Sequence, residues 1–408
     1  QKLFLPDFFK IRHDSSAVGT IMTLSGLSQG IGERIIPLSF GHPDPEMLPT
    51  RELREATLRV LDGPRAGLAL QYGAEQGTQS LIEVLVEKVR REHGLELTAA
   101  QLMIVAGSTH AVDMLARLYA RPGGVVLVEM PTYMDTLHVL RDQQLELCSV
   151  PMDEDGLLPA ALEEQIEQLY ARGTFPSLLY SIPTFHNPTG RTLSQTRRLE
   201  VIELARRYNF WIVEDDVYRD LAFVETVPPS FAALTGGERV LSIGSFSKTL
   251  APGLRLGWLV APAQEIQRCM ACGTTQMSGG ANPLVAHMVA EYCKSGAWEP
   301  HIHLLRSRYQ MRRDVALAAL TSFMPAEITW THPQGGFFIW LSLPEYIQAQ
   351  EIRQLALQRG VALTAGEGFF VEAARGAHHL RLTYSCATPQ EIETGLRILA
   401  QLLRELLH

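Results

Sequence analysis

Ser242-Ile-Gly-Ser-Phe-Ser-Lys-Thr-Leu-Ala-Pro-Gly-Leu-Arg-Leu-Gly-Trp258 places one lysine, Lys248, between two short apolar runs and surrounds it with hydroxyls, glycines and an arginine. Val240, Leu241 and Ile243 predict a buried strand entering a turn, and Leu254, Leu256, Trp258, Leu259 and Val260 predict a strand leaving it. A cation is therefore held at a corner of the core. Ser245 and Ser247 precede Lys248 and Arg255 follows it, and these donors suit a phosphate kept near an amine. A buried lysine of lowered pKa is the chemistry of imine formation with an aldehyde. A phosphate beside it makes that aldehyde a phosphorylated one, and pyridoxal phosphate is the candidate.

The segment SFSKTLAPGLRLGW resembles the lysine segment of the fold type I pyridoxal-phosphate enzymes. Within them it is most similar to the class I/II aminotransferases of the aspartate aminotransferase superfamily, in the branch of the aminoadipate and kynurenine aminotransferases. Further matching segments extend from about Gly41 to about Ser385, most of the chain. The resemblance implies a Schiff base between Lys248 and pyridoxal 5'-phosphate. Taken alone, the segment also suits a solvated loop lysine with Arg255 in a surface ion pair; the other motifs, in the family's order, weigh against that.

With 408 residues, 46% of them hydrophobic, the chain can bury a large core in two or three domains. A net charge of −8, with no basic run longer than Arg206-Arg207 or Arg312-Arg313, argues against a nucleic-acid partner. No apolar run reaches the roughly 18 residues of a membrane span, and Gln1-Lys-Leu-Phe-Leu-Pro-Asp7 lacks a secretory core. A cytoplasmic protein is the expectation. Five scattered cysteines argue against a disulfide framework, and the lone Cys269-Met-Ala-Cys272 reads as core packing, so no metal is expected.

From Leu102 to about Val260 short apolar runs alternate with helical segments. The strand candidates are Leu102–Val105, Val125–Val128, Leu145–Val150, Leu178–Ile182, Trp211–Val213, Val240–Ile243 and the run leaving the lysine turn. This predicts an α/β fold whose large domain holds a mostly parallel, seven-stranded sheet covered by helices. Sites in such sheets collect at the carboxyl ends of strands, and the chemically interesting residues follow these runs. Beyond about residue 300, strands at Ile328–Thr331, Gly335–Leu341 and Leu380–Tyr384 and helices at 348–359 and 388–406 predict a smaller α+β domain. The expected division is an N-terminal arm over 1–50, a large cofactor-binding domain over 51–300 and a small domain over 301–408, with the N-terminal segment joining the small domain.

Several residues stand out along this frame. Ser108 and Thr109 follow Gly107 at the opening of a helix, where free amides and hydroxyls make an anion site; plain helix capping is the alternative. Glu214, Asp215 and Asp216 follow a buried strand, and a carboxylate there can keep a pyridine nitrogen protonated. The family pattern of Asp, two residues, Tyr selects Asp215 with Tyr218 and leaves Asp216 on the other face. Arg381 lies in the otherwise apolar His379-Leu-Arg-Leu-Thr-Tyr-Ser385 and requires an anionic partner: a substrate carboxylate, or Glu367 or Glu372 in a structural ion pair.

The resemblance adds roles. It implies that Tyr133 stacks on the cofactor ring, that Asn187 and Tyr218 bond its phenolic oxygen, and that Ser108, Thr109, Ser245 and Arg255 hold its phosphate. Tyr72, after Gln71 and before Gly73, would reach the phosphate of a neighbouring subunit, which implies a homodimer with shared sites. Gly41 would approach the substrate carboxylate, bound by Arg381 and Asn187.

The expected function is a pyridoxal-phosphate-dependent aminotransferase moving an amino group from an L-amino acid to a 2-oxo acid. The family's N-terminal arginine, which reads acidic side chains, is missing from Ser15–Leu24. Together with Ile21, Leu24 and Phe369-Phe370 this favours an apolar, aromatic or aminoadipate-like donor. The same residues serve β-lyases, decarboxylases and cyclopropane-forming synthases. A ligand-sensing domain of a transcription regulator is a further alternative, disfavoured by the absence of a basic segment in the first forty residues.

Overall fold

The computed structural model describes residues 35–64 and 66–407. Residues 1–34 of the N-terminal arm, including Ser15–Leu24 with Ile21 and Leu24, lie outside the described residues.

Fourteen strands are numbered here in chain order. β1 is Ile36–Pro37, β2 Leu102–Val105, β3 Val125–Met130, β4 Glu146–Asp153, β5 Gly156–Leu157, β6 Leu178–Ser181, β7 Trp211–Asp215, β8 Val240–Ser245 and β9 Gly257–Val260. The later five are β10 Thr329–Trp330, β11 Phe338–Ser342, β12 Val361–Ala362, β13 Thr364–Ala365 and β14 His379–Thr383.

The large sheet runs β2-β9-β8-β7-β6-β3-β4-β5. Its centre, from β8 through β7, β6 and β3 to β4, is parallel, while β9 lies antiparallel between β8 and β2. The central strands read as unbroken apolar runs because helices cover both faces, and β2 and β6 are buried at every position.

Eight strands form this sheet where seven were expected. The eighth is β5, two residues that fold back on Met152 and Asp153 of β4. A two-residue strand has no alternation to read.

At the lysine corner, Gly244 of β8 pairs with Trp258 of β9, and a Cβ on Gly244 would stand 2.0 Å from the indole. Glycine is required there by the ring that crosses it.

The second sheet, β10-β11-β14-β13, is antiparallel, and β1 pairs separately and in parallel with β12. Pro389–Leu407 and the long helix Trp298–Phe323 pack together beside it. Gly335 and Gly336 were expected in a strand and fall outside β11. Phe185 explains this: its ring stands 2.4 Å from where a Cβ on Gly335 would be, and Gly336 has φ +70°. The backbone gives way to a side chain from the loop after β6. No helix of the described residues is long and apolar enough to cross a membrane.

Candidate active site

Lys248 sits in the turn after β8, where its Nζ donates to the carbonyl oxygen of Gly41 at 3.1 Å. The rings of Tyr218 and Phe337 stand 5.7 and 5.9 Å from that nitrogen. Burial and the neighbouring Arg381 cation lower the Lys248 pKa to about 8, against the opposing pull of Asp215. An amine so placed is partly neutral near neutral pH, and a neutral amine is a nucleophile.

Asp215 ends β7 inside the core, 5% exposed. Its Oδ2 accepts the Tyr180 hydroxyl at 2.6 Å, while its buried Oδ1 has no hydrogen-bond partner. Burial raises the carboxyl pKa to about 6 in spite of the Tyr180 bond and Lys248, which favour the anion. Asp216 points elsewhere and pairs with Arg219. There burial is outweighed by Arg219 and Arg198, and the net shift is downward. The two neighbouring carboxylates thus differ in their partners: Asp216 Oδ2 is paired with Arg219, whereas Asp215 Oδ2 accepts the Tyr180 hydroxyl, and among the described residues the Oδ1 of each is without a hydrogen-bond partner.

Arg381 projects from β14, buried at 6% exposure. Nη1 donates to Asn187 Oδ1 at 3.0 Å and Nη2 to the Ser39 carbonyl at 2.7 Å, and Nε has no partner. Phe338 and Phe369 flank the guanidinium at 4.6 and 4.8 Å. Burial lowers its pKa to about 10. Among the described residues no carboxylate pairs with it, and Glu372 bonds Arg375 instead. The structural ion-pair reading therefore fails for these residues, and a buried cation with only neutral acceptors is left short of an anion.

Gly107, at φ +83°, leads into the helix Ser108–Tyr119. A Cβ on Gly107 would meet Arg255 Nη2 at 2.8 Å, so the guanidinium lies against the backbone where that helix starts. Arg255 itself has φ +47°. Helix amides, the Ser108 and Thr109 positions and a guanidinium converge as a phosphate cradle does. Ser245 is buried close by in sequence to Lys248, with its Oγ accepting the Ser247 amide at 3.1 Å.

Tyr133 is the residue before the helix Met134–Asp142, and its hydroxyl bonds Asp135. Tyr218 is buried at 3%, edge-on to Phe337 and Phe338, and burial raises its pKa. Asn187 lies close enough to this hydroxyl to favour its anion. Gly41 has no room for a side chain, since a Cβ would lie 2.5 Å from the Phe338 ring. Tyr72 is the exception: it is 83% exposed and does not join the other residues within this chain.

Lys248, Asp215 and the Gly107–Arg255 cradle fit pyridoxal phosphate. The unpartnered Asp215 Oδ1 offers an acceptor for a ring N–H, the cradle offers donors for a phosphate, and the amine lies within the same pocket wall.

Sequence reasoning missed four contributors. Phe337 and Phe338 wall the lysine and Arg381. Tyr180 holds Asp215, and a tyrosine inside a fully buried strand signals a hydroxyl partner nearby. The fourth is Glu129, 1% exposed at the end of β3. It accepts Ser181 Oγ at 2.6 Å and the Ile182 amide at 2.8 Å, and faces His186 Nε2 at 3.1 Å.

Residues 33–399 match the family model of aminotransferase class I and II. The chain is 35% identical to an aromatic-amino-acid aminotransferase of Thermococcus litoralis, over 91% of this chain and 88% of that one. It is 31% identical to an HTH-type transcriptional regulator of Bacillus subtilis, over 91% of this chain and 74% of the other. The crystal structure of a Pyrococcus horikoshii kynurenine aminotransferase superposes with a TM-score of 0.87 at 33% identity, covering 94% of both chains. Fold and comparisons together define a fold type I enzyme whose cofactor is pyridoxal phosphate. The chain belongs to the class I and II aminotransferases.

Proposed function

We propose that this aminotransferase takes the amino group of an apolar, aromatic or aminoadipate-like L-amino acid and passes it to a 2-oxo acid, with Arg381 receiving the α-carboxylate. The observation that carries this reading is the buried Arg381 guanidinium, bonded among the described residues only to Asn187 and Ser39 and flanked by two phenylalanines. A carboxylate supplies its missing charge, and the aromatic surroundings favour an apolar or aromatic side chain.

Pyridoxal phosphate, when bound, supplies an aldehyde carbon and an electron-accepting ring. The chain's residues do the rest. Lys248 Nζ would hold the aldehyde carbon and, as a free amine, would take the proton from the substrate α-carbon. Asp215 would hold the ring nitrogen's proton, Tyr133 would pack on the ring face, and Asn187 and Tyr218 would bond its phenolic oxygen. Ser108, Thr109, Ser245 and Arg255 would hold the phosphate. Gly41 lets the backbone approach the substrate carboxylate.

A homodimer completes the proposal, with the partner subunit's Tyr72 on the phosphate. The exposure of Tyr72 at 83%, beside Leu68 at 62% and Leu70 at 67%, supports a covered apolar surface. Residues 51–300 would form the large lobe and 301–408 the small one, joined by segment 1–50; the pairing of Ile36–Pro37 with Val361–Ala362 supports this. A cytoplasmic setting accords with five free cysteines.

The test is a spectral titration of the holoenzyme with single amino acids and no oxo acid present. Conversion of the visible cofactor band to a pyridoxamine-type band identifies the donor. A band that shifts without reaching that form points to a lyase, a decarboxylase or a ligand sensor, and removes the transamination reading.

A further inference from the structure

The two oxygens of Asp215 are not equivalent. Oδ2 accepts the Tyr180 hydroxyl at 2.6 Å, and Oδ1 is buried with no hydrogen-bond partner among the described residues. The sheet register produces this arrangement. Tyr180 of β6 pairs with Val213 of β7, so Asp215, two residues further on, presents its side chain on the same face of the sheet. Tyr180 is 2% exposed, and a buried phenol must place its proton on some acceptor.

Resting on the reading that Asp215 faces the cofactor's ring nitrogen, we propose that Tyr180 is a positioning residue for that nitrogen. Its donated bond occupies Oδ2, fixes the carboxylate against rotation and leaves Oδ1 as the acceptor for the ring N–H. It also steadies the anion that the ring proton requires. Without the Tyr180 donor the buried carboxylate keeps only the Val217 amide and the Lys248 charge in favour of its anion, and it would compete better for the proton and leave the ring a poorer electron acceptor.

The groups facing Asp215 are few. Tyr180 approaches from β6, Asp216 and the Val217 amide follow directly after β7, and Lys248 and Tyr218 come from the turns beyond β8 and β7. Lys248 and Tyr218 act on other atoms of the same pocket, and Asp216 is held by Arg219. Among the described residues Tyr180 is the one that donates a side-chain hydrogen bond to the Asp215 carboxylate. Burial raises the Tyr180 pKa far above its ordinary value, so the phenol stays a donor at any working pH.

The experiment compares cofactor binding by apoenzyme reconstituted with pyridoxal phosphate and with its 1-deaza analogue, which lacks the ring nitrogen. The wild type should prefer pyridoxal phosphate. Tyr180→Phe should reduce that preference about tenfold, the scale of one hydrogen bond to a charged group, and lower kcat with little change in the amino acid KM. In the holoenzyme carrying ¹⁵N-labelled cofactor, the ring nitrogen resonance should move toward the unprotonated value. An unchanged preference and an unmoved resonance in Tyr180→Phe would overturn the proposal. A merely structural role would weaken both cofactors equally and would overturn it too. No preference in the wild type would instead remove the Asp215 reading beneath it. Should Tyr180→Phe not fold, 3-fluorotyrosine placed at position 180 keeps the ring and acidifies its hydroxyl, and an unshifted nitrogen resonance in that protein overturns the proposal.

Discussion

Arg381 Nη1 donates to Asn187 Oδ1 at 3.0 Å and thereby ties the antiparallel sheet to the loop that follows β6 of the large one. One side chain therefore serves two purposes: it joins the sheets, and it holds a charge that lacks a counterion among the described residues. Replacing Arg381 by Ala should raise the amino acid KM by several tens-fold, about 2 to 3 kcal/mol for a charged hydrogen-bonded pair. Arg381→Lys keeps the charge and loses the fork, and should recover only part of that loss. Steady-state kinetics with the best donor from the panel decides it. An unchanged KM in Arg381→Ala would place the carboxylate elsewhere.

Gly107→Ala tests the phosphate cradle. The added Cβ meets Arg255 Nη2 at 2.8 Å on a backbone at φ +83°. Both effects oppose the substitution, and the left-handed backbone alone costs about 1 kcal/mol. Cofactor affinity measured by dialysis should fall about tenfold or more, with Arg255 displaced from the helix start. Retained affinity would move the phosphate away from this corner.

Much of this site was legible because its parts are local. Lys248, Asp215, Asn187 and Ser108 each follow an apolar run, so strand and turn signals placed them at one sheet end without knowledge of pairing. Tyr180 was not legible, because its partner lies on a neighbouring strand and only the β6–β7 register brings them together. The bond from Arg381 to Ser39 crosses most of the chain and leaves no local trace. β5 escaped through its brevity, and Gly335-Gly336 read as strand because the Phe185 ring that displaces it belongs to another segment. Tyr72 points to the surface, so its role turns on a second copy of the chain.

Gly244→Ala probes the lysine corner as a fold element. Its Cβ would lie 2.0 Å from the Trp258 ring, an overlap that well-packed cores relieve only by backbone or ring displacement. A loss of about 1 to 3 kcal/mol is expected, read as a lowered thermal midpoint of the apoenzyme. A midpoint equal to the wild type would mean that the indole has room to move.

The Lys248 amine gives a pH signature. With its pKa lowered to about 8, the protonated form prevails below that value and the nucleophilic neutral form above it. The rate at which apoenzyme captures free pyridoxal phosphate should therefore rise with pH through about 8 and then level off. An ordinary lysine would keep rising toward about 10.4. Stopped-flow absorbance over a pH series separates the two, and a profile still rising at the higher value would contradict the enclosed environment described here.

The most direct measurement is peptide mapping after borohydride reduction of the holoenzyme, which fixes the cofactor to whichever amine holds it. The account requires the pyridoxyl mass on the peptide containing Lys248, and no label in Lys248→Ala. A label on another lysine, or equal labelling in the variant, would contradict the site built around that residue.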